Sequence, residues 1–495
     1  MKKKLLPALI VTGLIILVVI IMGITALINK YTPTKKTEDL KEYFNISSDD
    51  EAALIVDNEL SDYKAKIIDK KIYVDYKFVH DSLNSRFYWD ANENVLLYTT
   101  ASDIISAAAD SNSYSVTKQT NDFGYPIVKA TSDSALIALD YVKQYSNITF
   151  KSYDDPARIV ITSKWDEIDS ATVSKSTQVR VKGGIKSPIL KEVKKDDKIT
   201  ILDSGDKWDK VATEDGVIGY IKSKALSESK KTKLTNPDYE EETFTHIKKD
   251  KDICLAWNQV TSQSANSKVP QVISSTKGIN VMSPTWFYLN DNNGNLADIA
   301  SKDYVSYCHS QGIEVWGLFS NFENTDVDAA YVLTHTSTRT TLINQIMSAA
   351  FNYELDGVNI DFENITEAAY GDSYIEFIRE LAIKCHNNGI SLSVDVTVPA
   401  SFNKFFNRSD MANFADYIVI MGYDEHYKGS DAGSVSSIPW VTEGVESTLK
   451  EVPADQIILG MPFYTRIWEL TPKEDDDAVT DTEDQSKYTV ASPER

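Results

Sequence analysis

Seven short apolar runs punctuate the second half of the chain: Asp252–Val260, Gly278–Tyr288, Ile313–Phe319, Leu355–Glu363, Ile390–Val398, Tyr417–Tyr423 and Ile457–Tyr464. Between most of them lie stretches with apolar residues three and four apart, clearest at Tyr304–Gln311, Thr340–Asn352 and Tyr374–Asn387. Gly312 and Gly389 follow two of these as helix stops. Strand and helix in alternation predict a parallel sheet covered by helices. Seven such units in about 250 residues predict an α/β TIM barrel and not a doubly wound sheet. No GxGxxG or Walker-type loop follows any run, which removes the usual support for nucleotide binding.

The fourth run carries the chemistry. In Asp356-Gly357-Val358-Asn359-Ile360-Asp361-Phe362-Glu363, strand alternation sends Asn359, Asp361 and Glu363 to one face and Val358, Ile360 and Phe362 to the other. In a barrel the apolar set packs under helices and the polar set enters the lumen, with Glu363 at the C-terminal end where barrels build active sites. Asp361 lies about 7 Å below Glu363 by strand rise, near enough for like charges to raise a pKa. A carboxylic acid kept protonated near neutrality donates to a departing oxygen. The competing reading is a buried hydrogen-bond network in the barrel core.

These residues resemble the DGxDxDxE signature of glycoside hydrolase family 18. Other landmarks agree in order: Ser283-Pro284-Thr285-Trp286-Phe287 resembles its second strand, Met421-Gly422-Tyr423-Asp424 its sixth and Gly460-Met461-Pro462-Phe463-Tyr464-Thr465-Arg466 its seventh. The flavour is that of the bacterial cell-wall and spore-cortex branch. The resemblance implies Glu363 as general acid, with the substrate's own 2-acetamido carbonyl as nucleophile. It implies that Asp361 orients the acetamido nitrogen and balances the oxazolinium charge, and that Tyr423 hydrogen-bonds the acetamido oxygen. Asp424, Asn359, Trp286, Tyr464 and Arg466 complete the expected substrate-binding set. The substrate implied is an N-acetylglucosamine-containing glycan, in peptidoglycan or chitin, with no cofactor and no metal.

Two departures qualify the resemblance. The family's inner Asp is Asn359 here, which removes one charge and one proton-sharing partner. The family's eighth strand, with the Trp that floors the sugar subsite, is not found before Arg495, so the barrel reads as truncated, with seven of eight strands visible. These departures favour an alternative, a catalytically silent glycan-binding or envelope scaffold protein on the same barrel. The acidic segment Lys473-Glu474-Asp475-Asp476-Asp477 reads as a solvated loop. Trp316 and Trp468, like Trp286, are open to either sugar stacking or core packing. Asp424-Glu425-His426 hints weakly at a metal and Asp291–Asn295 at a calcium loop, but neither has the required spacing.

Leu5 to Ile28 is uncharged and apolar, preceded by Lys2, Lys3 and Lys4. Its length spans a ~30 Å hydrocarbon core with some tilt, and the basic cluster predicts residue 1 in the cytoplasm and the remainder outside. The expectation is an uncleaved, single-pass signal anchor at residues 1–30 in the cell membrane; the competing reading is a cleaved signal peptide. A polar stalk follows at 31–49. Residues 50–165 show short apolar runs between turns, with a hairpin turn at Asp90–Asn94 and a helical stretch from Ser134 to Tyr145. The segment Ile72–Tyr98 resembles a copper-amine-oxidase N-terminal-like stalk domain. Residues 171–228 resemble a bacterial SH3-type domain, through Gly205-Asp206-Lys207-Trp208 and Gly219-Tyr220-Ile221; Trp208 is read as ligand platform or core. Residues 229–244 read as a linker, and 245–495 as the barrel.

Composition sets the outer limits. A formal net charge of −22 over 495 residues argues against a nucleic-acid partner. The 26 Tyr and 8 Trp are compatible with sugar ligands. Three cysteines, Cys254, Cys308 and Cys385, form no disulfide framework and are expected as buried thiols.

Overall fold

The computed structural model describes residues 2–363, 365, 370–472 and 488–491. The segment Lys473–Asp477 lies outside the described residues. By contacts the chain divides into Met1–Ser85 with Thr131–Glu241, and Arg86–Ala130 with Glu242–Arg495. The division thus runs through the span 50–165.

The first unit begins with the helix Lys2–Tyr31. Its stretch Leu9–Tyr31 is long and apolar enough to cross a membrane, and none of it is buried against protein. The residues that follow are not a free stalk. Thr34 N donates to the Ile185 carbonyl (2.8 Å), Glu38 N to that of Ile189 (2.8 Å), and Ile189 N to that of Lys36 (2.9 Å). Phe44 is buried in one core with Ile55, Val179, Leu190, Val211 and Ile221. Leu40 and Phe44, just after the polar Thr34–Glu38 stretch, pack into this core and hold the stretch against the fold.

A mixed sheet contains, in spatial order, Thr149–Tyr153, Arg158–Thr162, Glu51–Val56, Glu59–Ile68, Lys71–Asp75 and Ala135–Ala138. The expected helix from Ser134 is a strand in its first half, because Ala135–Ala138 pairs antiparallel with Lys71–Asp75; only Leu139–Gln144 is helical. An antiparallel sheet follows in the order Ile189–Val193, Thr177–Arg180, Ile218–Lys222, Trp208–Thr213, Lys198–Asp203, Glu167–Thr172 and Lys230–Lys233. The last of these falls in the expected linker: an all-polar strand recruited by backbone bonding to Glu167–Thr172.

In the second unit a five-stranded meander over Phe87–Asp122 packs on helices of the barrel region. Tyr88 OH meets Ser373 Oγ (2.9 Å), and Thr99 Oγ1 donates to Glu376 (2.8 Å). Asp90 accepts from both the backbone and the hydroxyl of Thr336.

The barrel region has seven parallel strands: β1 (Leu255–Asn258), β2 (Val281–Leu289), β3 (Glu314–Ser320), β4 (Gly357–Asp361), β5 (Ser391–Thr397), β6 (Tyr417–Met421) and β7 (Ile457–Gly460). They pair in chain order, the layout of a TIM-like barrel. The helices used below are α1 (Lys302–Ser310), α2 (Thr336–Tyr353), α3 (Gly371–His386), α4 (Arg408–Phe414) and α5 (Ile438–Thr448). Gly312 and Gly389 both take φ 70°, the left-handed conformation that ends a helix before a strand.

Alternation sets the two cores. Val358, Ile360 and Phe362 face outward into a large cluster with Ile346, Ile378 and Leu381; each such side chain contributes roughly 1.5–3 kcal/mol by leaving water. Inside, Leu255, Val281, Trp316, Tyr417 and Ile458 close the lower lumen. Above that floor the lumen turns polar.

Candidate active site

Asn359 sits midway up the lumen with no exposed surface. Its Oδ1 accepts from Trp257 Nε1 (3.0 Å) and Ser283 Oγ (2.9 Å), and its Nδ2 donates to Asp395 Oδ1 (2.7 Å). One residue thereby ties β1, β2, β4 and β5 together. Expected as a substrate-binding residue, Asn359 is instead a strut, because every polar atom of its side chain is already engaged inside the barrel.

Two residues higher on β4, Asp361 has Oδ1 enclosed without a hydrogen-bond partner. Burial pushes its carboxyl well above the usual range, and the negative charges of Asp395, Glu363 and Glu323 push it further. Asp395 is likewise raised, first by burial, despite the bond from Asn359. Glu363, just past the end of β4, is held by its backbone N donating to Asn321 Oδ1 (3.1 Å), while its side chain opens to the cleft. Partial burial, with Asp424 and Glu323 nearby, raises its proton affinity too.

From β6 and β7 come the opposite wall. Asp424 occupies a left-handed conformation (φ 61°), which Asp tolerates better than most non-glycine residues. Its side chain is fixed: Oδ1 accepts from Tyr464 OH (2.6 Å) and Arg466 Nη2 (2.5 Å). Tyr423 stands edge-on to Trp257 (centroids 6.1 Å) and to Tyr464 (6.3 Å). Burial and the surrounding carboxylates raise the Tyr423 phenol, keeping it a neutral donor. Trp257 holds its place because β7 carries glycine beside it; a Cβ on Gly460 would lie 2.8 Å from the indole ring.

Two clefts meet here. One, of about 470 Å³, runs from Glu363 over Thr397–Ala400 and Phe402 to Tyr427 and Trp440. The other, of about 740 Å³, runs from Glu363 past Trp257 and Gln259 to Met461–Tyr464 and Arg466. Glu363, Tyr423 and Asp424 line both. The arrangement offers a carboxyl of raised proton affinity, a neutral phenol and an enclosed acid pair at the midpoint of a two-armed groove.

The structure thus brings Glu363, Asp361, Tyr423, Asp424, Tyr464 and Arg466 to one end of the barrel. Trp286 is excluded: it has no exposed surface, its Nε1 donates to Asn266 Oδ1 (2.8 Å), and it packs edge-on against Tyr304 of α1. Strand parity explains this, since Ser283 faces the lumen and residue 286 faces the helices. Trp316 is likewise buried, its ring tilted against Tyr417 (centroids 5.6 Å) in the barrel floor. Trp468 Nε1 donates to the Gly433 carbonyl (2.8 Å). Cys308 and Cys385 are buried, but Cys254 is exposed, lying just before β1 rather than within its packed faces. Sequence reasoning passed over Trp257, whose parity with Leu255 points it inward. It also passed over Asp395, flagged by the polar alternation Ser391, Ser393, Asp395, Thr397.

Residues 316–493 match the family described as Glycosyl hydrolases family 18. Among curated proteins, the uncharacterized glycosylase YvbX of Bacillus subtilis is 25% identical over 194 residues, covering 36% of this chain and 55% of that protein. The cortical fragment-lytic enzyme of Bacillus subtilis is 26% identical over 187 residues, covering 36% of this chain and 43% of the enzyme. The chain therefore spans about half the length of these relatives. Among solved structures, a chitinase from Chromobacterium violaceum aligns with a TM-score of 0.39 at 21% identity, over 43% of this chain and 69% of the chitinase. The C-terminal region is thus similar in sequence to the glycosyl hydrolases of family 18.

Proposed function

We propose that the family 18 domain is a glycosidase that cleaves N-acetylglucosamine-containing glycan, peptidoglycan before chitin, with Glu363 as general acid. The observation that carries this reading is the placing of Glu363. Among the described carboxyls whose proton affinity is raised in the lumen, it is the one that opens to the cleft, and both arms of the groove meet at it. An acid so placed reaches the oxygen between two bound sugars.

The surrounding groups support a substrate-assisted, retaining route. Asp361 is a poor nucleophile: its Oδ1 is enclosed, and burial and the negative charges around it raise its proton affinity. An acetamido carbonyl on the substrate supplies the attacking oxygen instead. Asp361 then faces the acetamido nitrogen, and the neutral Tyr423 phenol donates to the acetamido oxygen. Asp424, fixed by Tyr464 and Arg466, lines the same subsite. A groove open on both sides of the acid favours cleavage within a strand. The name of the cortical fragment-lytic relative favours peptidoglycan.

In this reading Leu9–Tyr31 anchors the protein in the cell membrane as a single pass, with the remainder outside. Residues 171–228 act as an SH3-type wall-binding module beside a stalk domain. Deleting 171–228 and following wall attachment tests that part.

Digesting purified peptidoglycan with the protein, and reading new reducing ends and product masses, tests the activity. Glu363→Gln should abolish release, by about 10³-fold or more, while leaving the fold and glycan binding intact. A Gln variant that cuts at the wild-type rate removes Glu363 from its role. Binding without any release by the wild type favours the glycan-binding scaffold.

A further inference from the structure

The lumen holds a second acid that the reaction as described above does not use. Asp395 projects from the middle of β5, 2% exposed, and is met at Oδ1 by Asn359 Nδ2. Its Oδ2 is enclosed and has no hydrogen-bond partner, and the same is true of Asp361 Oδ1. The Tyr374 hydroxyl of α3, wholly buried and within the field of both carboxyls, is also without a partner. The groups facing this spot are Asn359 and Asp361 from β4, Glu363 beyond it, Trp257 from β1, Tyr423 from beyond β6 and Tyr374 from α3. Glu323, after β3, acts on Asp361. Every charged group in that set is acidic.

Two carboxylates in one enclosed, cation-free space do not both ionise, because the mutual repulsion goes unscreened. The pair therefore carries a single negative charge and one proton.

We propose that Asp395 is the positioning residue for Asp361: the two carboxyls hold one proton between them, and its transfer to Asp395 presents Asp361 to the reacting sugar as a carboxylate. The O–H bond on Asp361 breaks and an O–H bond on Asp395 forms, so the pair stays at one negative charge throughout. The charge is thus moved toward the cleft when a cation develops there, with no proton exchanged with solvent. Asn359 makes this workable. As an amide it fixes Asp395 Oδ1 by donation, leaving Oδ2 to receive the proton. The inference rests on the glycosidase reading for its catalytic consequence, but the shared proton is a property of the resting protein.

The test uses the full-length protein in two measurements. Infrared difference spectra at neutral pH, recorded in a Glu363→Gln background so that Glu363 contributes nothing, should contain a neutral carboxylic acid band that Asp395→Asn removes, since Asp361 without its neighbouring carboxyl titrates at lower pH. On purified peptidoglycan strands, Asp395→Asn should lower kcat about 100-fold with KM within about two-fold, and shift the acid limb of the pH profile downward. The exchange Asn359→Asp with Asp395→Asn keeps one carboxyl and one amide in the pair, with Trp257 and Ser283 still donating to position 359. It should restore at least about ten-fold of the lost rate. An unchanged carboxylic acid band, or an Asp395→Asn variant with the wild-type rate and pH profile, overturns the proposal. So does an exchange variant that folds but recovers nothing. A wild type that cleaves no glycan defeats the glycosidase reading and the catalytic step with it, while the infrared titration still decides whether the proton is shared.

Discussion

The second unit contains two sets of buried carboxylates, one among the helices and one in the lumen. On α3 and α4, Glu376, Glu380 and Asp410 are interleaved with arginines. Arg339 Nε donates to Glu380 (2.9 Å), Arg379 Nη1 to Glu376 (3.0 Å), and Arg379 Nη2 to Asp410. The Arg339 guanidinium also lies 5.0 Å from the Tyr88 ring centroid. In the lumen, Asp361, Asp395 and Glu363 act on one another with acids, phenols, an amide and the Trp257 indole around them. Glu376, Glu380 and Asp395 are all buried, but their partners are not alike. Where guanidinium is supplied, it bonds the carboxylates and ties helices together, although burial still lifts Glu380 to about 7; where it is withheld, nothing offsets burial and like charge, and the fold carries the electrostatic cost. The first arrangement is a fastening and the second is a reservoir of acid.

That contrast makes definite demands. Arg379→Ala strips the cation from Glu376 and Asp410, and chemical denaturation should show a loss of about 3–5 kcal/mol. The lumen should respond in the opposite sense. Asp361→Asn removes one of several repelling acids, so the same measurement should show unchanged or increased stability, while the rate of glycan release falls about 100-fold, or ~3 kcal/mol in the barrier. Equal destabilisation by the two substitutions would erase the distinction.

A smaller effect tests it through pH. Burial lifts Asp395 from 3.8 to about 8, so the folded state binds this proton more tightly than the unfolded chain does. Its contribution to stability is complete below the unfolded value and is lost as pH rises toward the folded one. Thermal melting from pH 5 to 8 should therefore show the wild type falling relative to Asp395→Asn, by on the order of 2–4 °C. A parallel pair of curves would remove Asp395 from the set of proton-holding groups. The smallest change is at the lumen's edge: Gly460→Ala crowds the Trp257 ring and should raise KM by about three-fold with kcat little altered.

Much of the barrel was legible because its two periodicities are clean. The seven apolar runs became β1 to β7, and the polar face of β4 entered the lumen as alternation requires. What failed was the reading of tryptophans by proximity to a motif. Trp286 lies on the helix-facing parity of β2, whereas Trp257, in a less remarked run, faces inward. Asp395 went unnoticed because its strand, Ser-Leu-Ser-Val-Asp-Val-Thr, resembles no signature, although its polar residues alternate just as those of β4 do. Elsewhere tertiary pairing overrode local preference. Ala135–Ala138 has helix-forming residues but joins a sheet, and the lysine-rich Lys230–Lys233 is a strand only because Glu167–Thr172 offers an edge. Asn359 was read as a lost charge; its three hydrogen bonds were beyond the reach of spacing arguments, since they join four strands.

The close fastening of the chain just after its apolar helix bears on where the protein can work. Helix Lys2–Tyr31 ends three residues before Thr34, whose backbone is already bonded to Ile185, and Lys186 Nζ reaches the Thr32 carbonyl (2.7 Å). Three extended residues span about 10 Å. In the membrane-anchored reading the first unit has a lead with almost no slack: it is held within about 10 Å of the end of the apolar helix, and no flexible tether separates the two.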